Sequence, residues 1–90
     1  MVELNHDIKY ISTSVLVKGG HGVVVGVHVT KTGSSGDKIV LHNGTTNSGV
    51  AEFTVNGESA QNIESINRRF ENGIYAEITG STARYLVIFK

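Results

Sequence analysis

Eleven glycines and no proline in a chain of 90 residues leave every tight turn to Gly, Asn, Asp and Ser, and so predict many short strands joined by glycine-marked reversals. The runs between those glycines are rich in Val, Ile, Thr and Tyr rather than Ala, Leu, Glu and Lys, which favours extended over helical structure. The prediction is an all-β fold: one small antiparallel β-sandwich or barrel of about five to seven strands built from hairpins. No internal repeat, low-complexity tract or linker divides the chain, so residues 1–90 are read as a single domain.

The hairpins can be placed by their turns. Gly19-Gly20 separates Val15–Lys18 from Val23–Val29 and predicts a two-residue loop that sets Leu16 opposite Val23. The polar stretch Lys31–Asp37 then predicts a second hairpin with Lys38–His42, in which Thr30 pairs with Lys38, His28 with Val40 and Gly26 with His42. In that register Val23, Val25, Val27 and Val29 share the core face with Ile39 and Leu41, while Val24 and Val40 lie on the other face with His28 and His42. Val15 and Val17 of the first hairpin join that outer face. After turns at Asn43-Gly44 and Asn47-Ser48-Gly49, the segment Val50–Val55 alternates, with Ala51, Phe53 and Val55 inward and Asn56-Gly57 as its stop. Ser59–Glu71 fits both a helical and a strand spacing and is read as extended or irregular, with room for one helical turn. Gly80-Ser81 predicts a type II′ hairpin between Ile74–Thr79 and Thr82–Phe89, which sets Glu77 opposite Arg84. Ile74, Ala76 and Ile78 then line one face with Ala83, Tyr85 and Val87, and Tyr75, Leu86 and Ile88 the other.

Charge and length limit what such a domain can do. Eight Lys plus Arg balance eight Asp plus Glu, and charged residues make up 18% of the chain, which argues against nucleic acid as a partner. The longest apolar run, Tyr85–Phe89, falls far short of the roughly 20 residues of a spanning helix. The opening Met1–Asp7 lacks a basic-then-apolar signal pattern, so the chain reads as soluble, unprocessed and without a membrane partner. No cysteine is present and no Cys/His spacing suggests a structural zinc, so the usual staples of a small fold are missing and oligomerisation is the one left.

Catalytic chemistry finds no constellation. Of the four histidines, His28 and His42 come close in the predicted hairpin, but a metal would need a third ligand that the pattern does not supply. Gly19-Gly20-His21-Gly22 resembles a phosphate loop only superficially, since a strand rather than a helix follows. Ser12, Ser14, Ser34 and Ser35 sit on no strand-turn-helix elbow. Asn43-Gly44-Thr45 matches a glycosylation acceptor but is better read as a turn. Arg68-Arg69 beside Phe70 and Tyr75 is offset by Glu64, Glu71 and Glu77, and is read as a rim or partner contact. The expectation is a protein that is not an enzyme, with no catalytic residue, cofactor or metal.

Two families resemble parts of the chain. Gly22-Val23-Val24-Val25-Gly26-Val27-His28-Val29-Thr30, then a Gly/Ser loop, Ile39-Val40-Leu41-His42-Asn43, and Phe70-Glu71-Asn72-Gly73-Ile74-Tyr75 before a closing hairpin are similar to small β-sandwich structural proteins of tailed bacteriophages. That resemblance spans Val15 to Lys90. It implies a virion component, a capsid decoration or head-tail protein acting as a symmetric homo-oligomer with other virion proteins as partners, located in the virion or the host cytoplasm. The second resemblance is to Sm-like proteins, whose closing motif is similar to Ile78-Thr79-Gly80-Ser81-Thr82-Ala83-Arg84-Tyr85-Leu86-Val87, with Gly22 to Leu41 loosely similar to the opening motif. It implies an oligomeric ring that binds RNA or protein. Thr79 stands where that family has its basic RNA-contacting residue, the Gly/Ser loop is longer than the family's tight turn, and no N-terminal helix is evident.

Assembly is the most specific expectation. Val23–Val29 and Tyr85–Phe89 carry apolar side chains on both faces, and one core can bury only one face of each. Tyr75, Tyr85, Leu86, Ile88, Val15, Val17, Val24 and Val40 are therefore the predicted oligomer interface. No proline guards a strand edge, so edge-to-edge pairing of the C-terminal strand in a cyclic homo-oligomer is expected.

Overall fold

A computed structural model describes residues 6–90. Residues 1–5, most of the segment read above for a signal pattern, lie outside the described part. The described chain is a β-sandwich of nine strands: β1 (Asp7–Ile11), β2 (Val15–Gly19), β3 (Gly22–Lys31), β4 (Lys38–Asn43), β5 (Val50–Asn56), β6 (Asn62–Ile63), β7 (Arg68–Phe70), β8 (Gly73–Thr79) and β9 (Arg84–Phe89). One sheet, here sheet A, runs β1-β9-β3, with β6 and β7 both pairing along the far side of β3. Sheet B runs β2-β8-β4-β5. All pairings are antiparallel. The slab measures 36 × 35 × 16 Å between Cα extremes, the thinness of two layers spaced by one stratum of side chains. Both sheets are open, so the barrel alternative does not apply.

The strand count exceeds the expected five to seven because β1 was not read as a strand and Ser59–Glu71 supplies β6 and β7. No helix forms in that segment: Ser65 and Asn67 take left-handed φ values of 58° and 48°, which break it into two short extended pieces.

The connectivity corrects the sequence reading. Of the three predicted hairpins none forms. β2 pairs with β8, so Leu16 faces Tyr75 rather than Val23. β3 and β4 lie in different sheets, and Lys38 pairs with Thr79 and Asn56 rather than Thr30. β8 and β9 also part at Gly80-Ser81, so Glu77 faces Val40 and Arg84 faces Lys31. Only β4–β5 closes as a local hairpin. The reason is burial. Successive hairpins would lay the valine-rich strands into one sheet with an uncovered apolar face, whereas crossing at each glycine corner places two inner faces against each other.

The core contains Val27, Val29, Ile39, Leu41, Val55, Ile74, Ala76, Ala83 and Val87, as the alternation predicts, together with Val24, Ile11, Phe70, Phe89 and Tyr85, the last expected at the interface. Val24 is a correction. The register of β3 on β9 slips between Val24 and Gly26, and the extra residue turns Val24 inward in place of Val23 and Val25. Gly26 is required at that bulge, because a Cβ there would lie 2.9 Å from the Ile63 carbonyl oxygen. Ala51 is the second correction: a slip between Leu41 and His42 leaves it exposed, while Val55 stays buried and Phe53 packs on the core margin.

Candidate functional site

Two polar clusters, around His42 and around Asp37, are buried in the sandwich. His42 is buried at 7% exposure on the outer side of sheet B. Its Nδ1 lies 2.9 Å from the Gly49 carbonyl oxygen and its Nε2 2.7 Å from Glu77 Oε1. Both partners are oxygen acceptors, so each ring nitrogen lies within hydrogen-bond reach of one of them. The Tyr75 ring stands 6.4 Å away, tilted at 57°. No hydroxyl or thiol nucleophile is hydrogen-bonded to this imidazole among the described residues, and the cluster ties the β4–β5 loop to β8. The predicted approach of His28 to His42 does not occur, because β3 and β4 belong to different sheets. No group of three His, Cys, Asp or Glu side chains among the described residues could hold a metal ion.

Asp37 is the other buried polar residue, 4% exposed. Its Oδ2 accepts from the Ala83 amide at 2.9 Å and the Thr82 amide at 3.2 Å, and its own carbonyl accepts from Gly57 at 2.8 Å. It pins the β3–β4 loop to the β8–β9 corner. Gly80 makes room for it, with φ of 90° and a missing Cβ that would collide with the Asp37 carboxylate. Beneath this corner the Tyr85 hydroxyl is buried without a protein partner among the described residues, and burial, reinforced by the Asp37 charge, raises its pKa above the ordinary 10.0.

The arginines do not converge on a groove. Arg68 donates from Nη2 and Nε to Glu52 Oε1 at 2.8 and 3.2 Å, bridging the open edge between β7 of sheet A and β5 of sheet B. This hydrogen bond holds the Glu52 carboxyl below its ordinary range. Arg69 pairs with Glu71 at 2.9 Å. Shallow hollows on either side of Ser12 share Arg84 but gather no set of titratable groups.

What remains is surface. Of the predicted interface residues, Tyr85 and Val24 are fully buried in the core, and Val15 and Val17 pack against its margin. Tyr75 and Val40 are half-buried on the outer side of sheet B, beside His42 and Glu77. Leu86 and Ile88 are half-buried on the outer side of sheet A. There they meet two residues the sequence reading missed: Ile8 stands opposite Ile88 and Tyr10 opposite Leu86, at 58% and 72% exposure. His28, next along from Leu86, adds a buried Nε2 without a partner among the described residues. The signal was the alternation Asp7-Ile8-Lys9-Tyr10-Ile11, which reads as a half-buried strand. On sheet B the exposed Leu16 stands opposite Tyr75, beside His42, while the exposed Val50 lies on the far edge strand. The C-terminal strand β9 has neighbours on both sides, so its backbone is not free for the edge-to-edge pairing expected of it, and only its outward side chains are accessible. No family model, curated protein or solved structure matches the chain.

Proposed function

We propose that the protein is a non-catalytic building block that self-associates through the outer face of sheet A, in the manner of a capsid decoration or head-tail component of a tailed-bacteriophage particle. The observation that carries this reading is the contiguous apolar stripe Ile8-Ile88 and Tyr10-Leu86-His28 on one face of the slab. Contiguous apolar surface of this kind marks a protein contact. The neutral charge balance agrees with protein rather than nucleic acid as the partner, and the resemblance of Gly22–Thr30 and Phe70–Tyr75 to phage β-sandwich proteins supplies the biological setting.

The test is mass in solution. Light scattering is expected to give a multiple of 9.6 kDa, and Leu86→Glu or Ile88→Glu is expected to lower it while strand content is retained. A monomer at high concentration overturns the reading. Capsid, portal or tail genes beside this one would support the virion setting.

A further inference from the structure

Strand edges in this sandwich are not equally protected. β2 is bulged between Leu16 and Lys18, β5 is crossed by the Glu52–Arg68 bridge, and β6 and β7 are short and interrupted. Bulges, ion pairs and short strands are the usual guards against edge pairing. β1 has no bulge, and its only guards are the charges of Asp7 and Lys9, which complement each other: its five residues pair with β9 without a slip, Asp7 with Phe89 through Ile11 with Tyr85, and no described strand lies on its other side.

The direction of its free groups follows from the ladder. Lys90 exchanges both backbone hydrogen bonds with Val23 of β3, at 2.7 and 2.9 Å. By antiparallel alternation Phe89, Val87 and Tyr85 bond toward β1, and their partners Asp7, Lys9 and Ile11 bond back. The amide and carbonyl groups of Ile8 and Tyr10 therefore point out of the sheet, and those of His6 follow if the alternation continues one residue beyond the strand.

We infer that β1 is a self-recognition strand, which pairs antiparallel with β1 of a second copy across a two-fold axis at Ile8. This inference rests on the self-association proposed above and adds to the face contact a second one at the strand edge. In that register Ile8 faces Ile8 of the second copy, His6 faces Tyr10, and Asp7 faces Lys9 twice. The outward-bonding residues supply about six main-chain hydrogen bonds, and Asp7 and Lys9 fall at the non-hydrogen-bonded positions, where side chains approach most closely. Shifting by one pair in one direction sets Lys9 against Lys9, and in the other Asp7 against Asp7, so charge selects the register. Neither residue is committed to an ion pair within its own chain among the described residues. The pairing would join the two apolar stripes into one, running Ile88-Ile8-Ile8-Ile88 across the axis.

Charge exchange tests this on the full chain. Lys9→Asp and Asp7→Lys each turn two attractions into repulsions and are expected to weaken dimerisation about tenfold or more. Mixing the two variants in equal amounts restores both attractions in the mixed dimer, and the double variant restores them within one species. Circular dichroism checks that each variant keeps its strands. If the wild-type chain associates but neither single variant weakens it, or the mixture fails to recover, β1 pairing in this register is overturned while self-association through the face stands. A wild-type chain that stays monomeric overturns both.

Discussion

Tyr85 is completely buried, with a hydroxyl that finds no partner among the described residues and Gly57 packed directly over it. Burial raises its pKa, and the sign of the linkage follows. Below pH 10.0, the ordinary phenol value, the residue is neutral in both folded and unfolded chains and its contribution is complete. Above that value the unfolded chain ionises first, so stability falls as pH rises through the folded pKa. Tyr85→Phe removes both the ionisation and the unsatisfied hydroxyl. It is expected to leave stability at neutral pH unchanged or higher by roughly 1 kcal/mol and to flatten the loss above pH 10.0, which urea titrations across pH would measure.

At the scale of the element, the corners carry more than the strands. Gly80 and Asp37 are interlocked at the β8–β9 crossing, where the carboxylate holds the Thr82 and Ala83 amides. Asp37→Ala leaves a buried amide without its acceptor and is expected to cost about 1–3 kcal/mol, read as a lower denaturation midpoint with an unchanged m-value. The sequence reading places a reversal at Gly80-Ser81, as found, but its pairing of Glu77 with Arg84 does not form, because the two strands enter different sheets. A glycine at positive φ meets the need of a hairpin loop and of a corner between sheets equally well, so the turn signal locates the reversal without saying which sheet receives the returning strand.

For the whole molecule, the pairings of β1 with β9 and β2 with β8 join strands from early and late in the chain, and among the described residues only β4–β5 is local. Such topology must pay loop-closure entropy before its contacts form, so refolding is expected in milliseconds to seconds. With no proline, no phase of tens of seconds from proline isomerisation should follow. Stopped-flow refolding showing a dominant phase that slow would contradict this.

The sequence alone determined the class of the fold and much of its inner surface. Alternation placed Val27, Val29, Ile39, Leu41, Val55, Ile74, Ala76 and Val87 inward, because a period of two is a property of the extended backbone itself, whereas Tyr85, expected at the interface, is in the core. Alternation also left Leu86 and Ile88 facing outward. Tertiary structure decided the rest: which strands are neighbours, the bulges that turned Val24 in and Ala51 out, the separation of His28 from His42, and the meeting of Ile8 and Tyr10 with β9. Those depend on contacts between residues far apart in the chain, where burying two inner faces against each other outweighs the pairing of strands that merely follow one another.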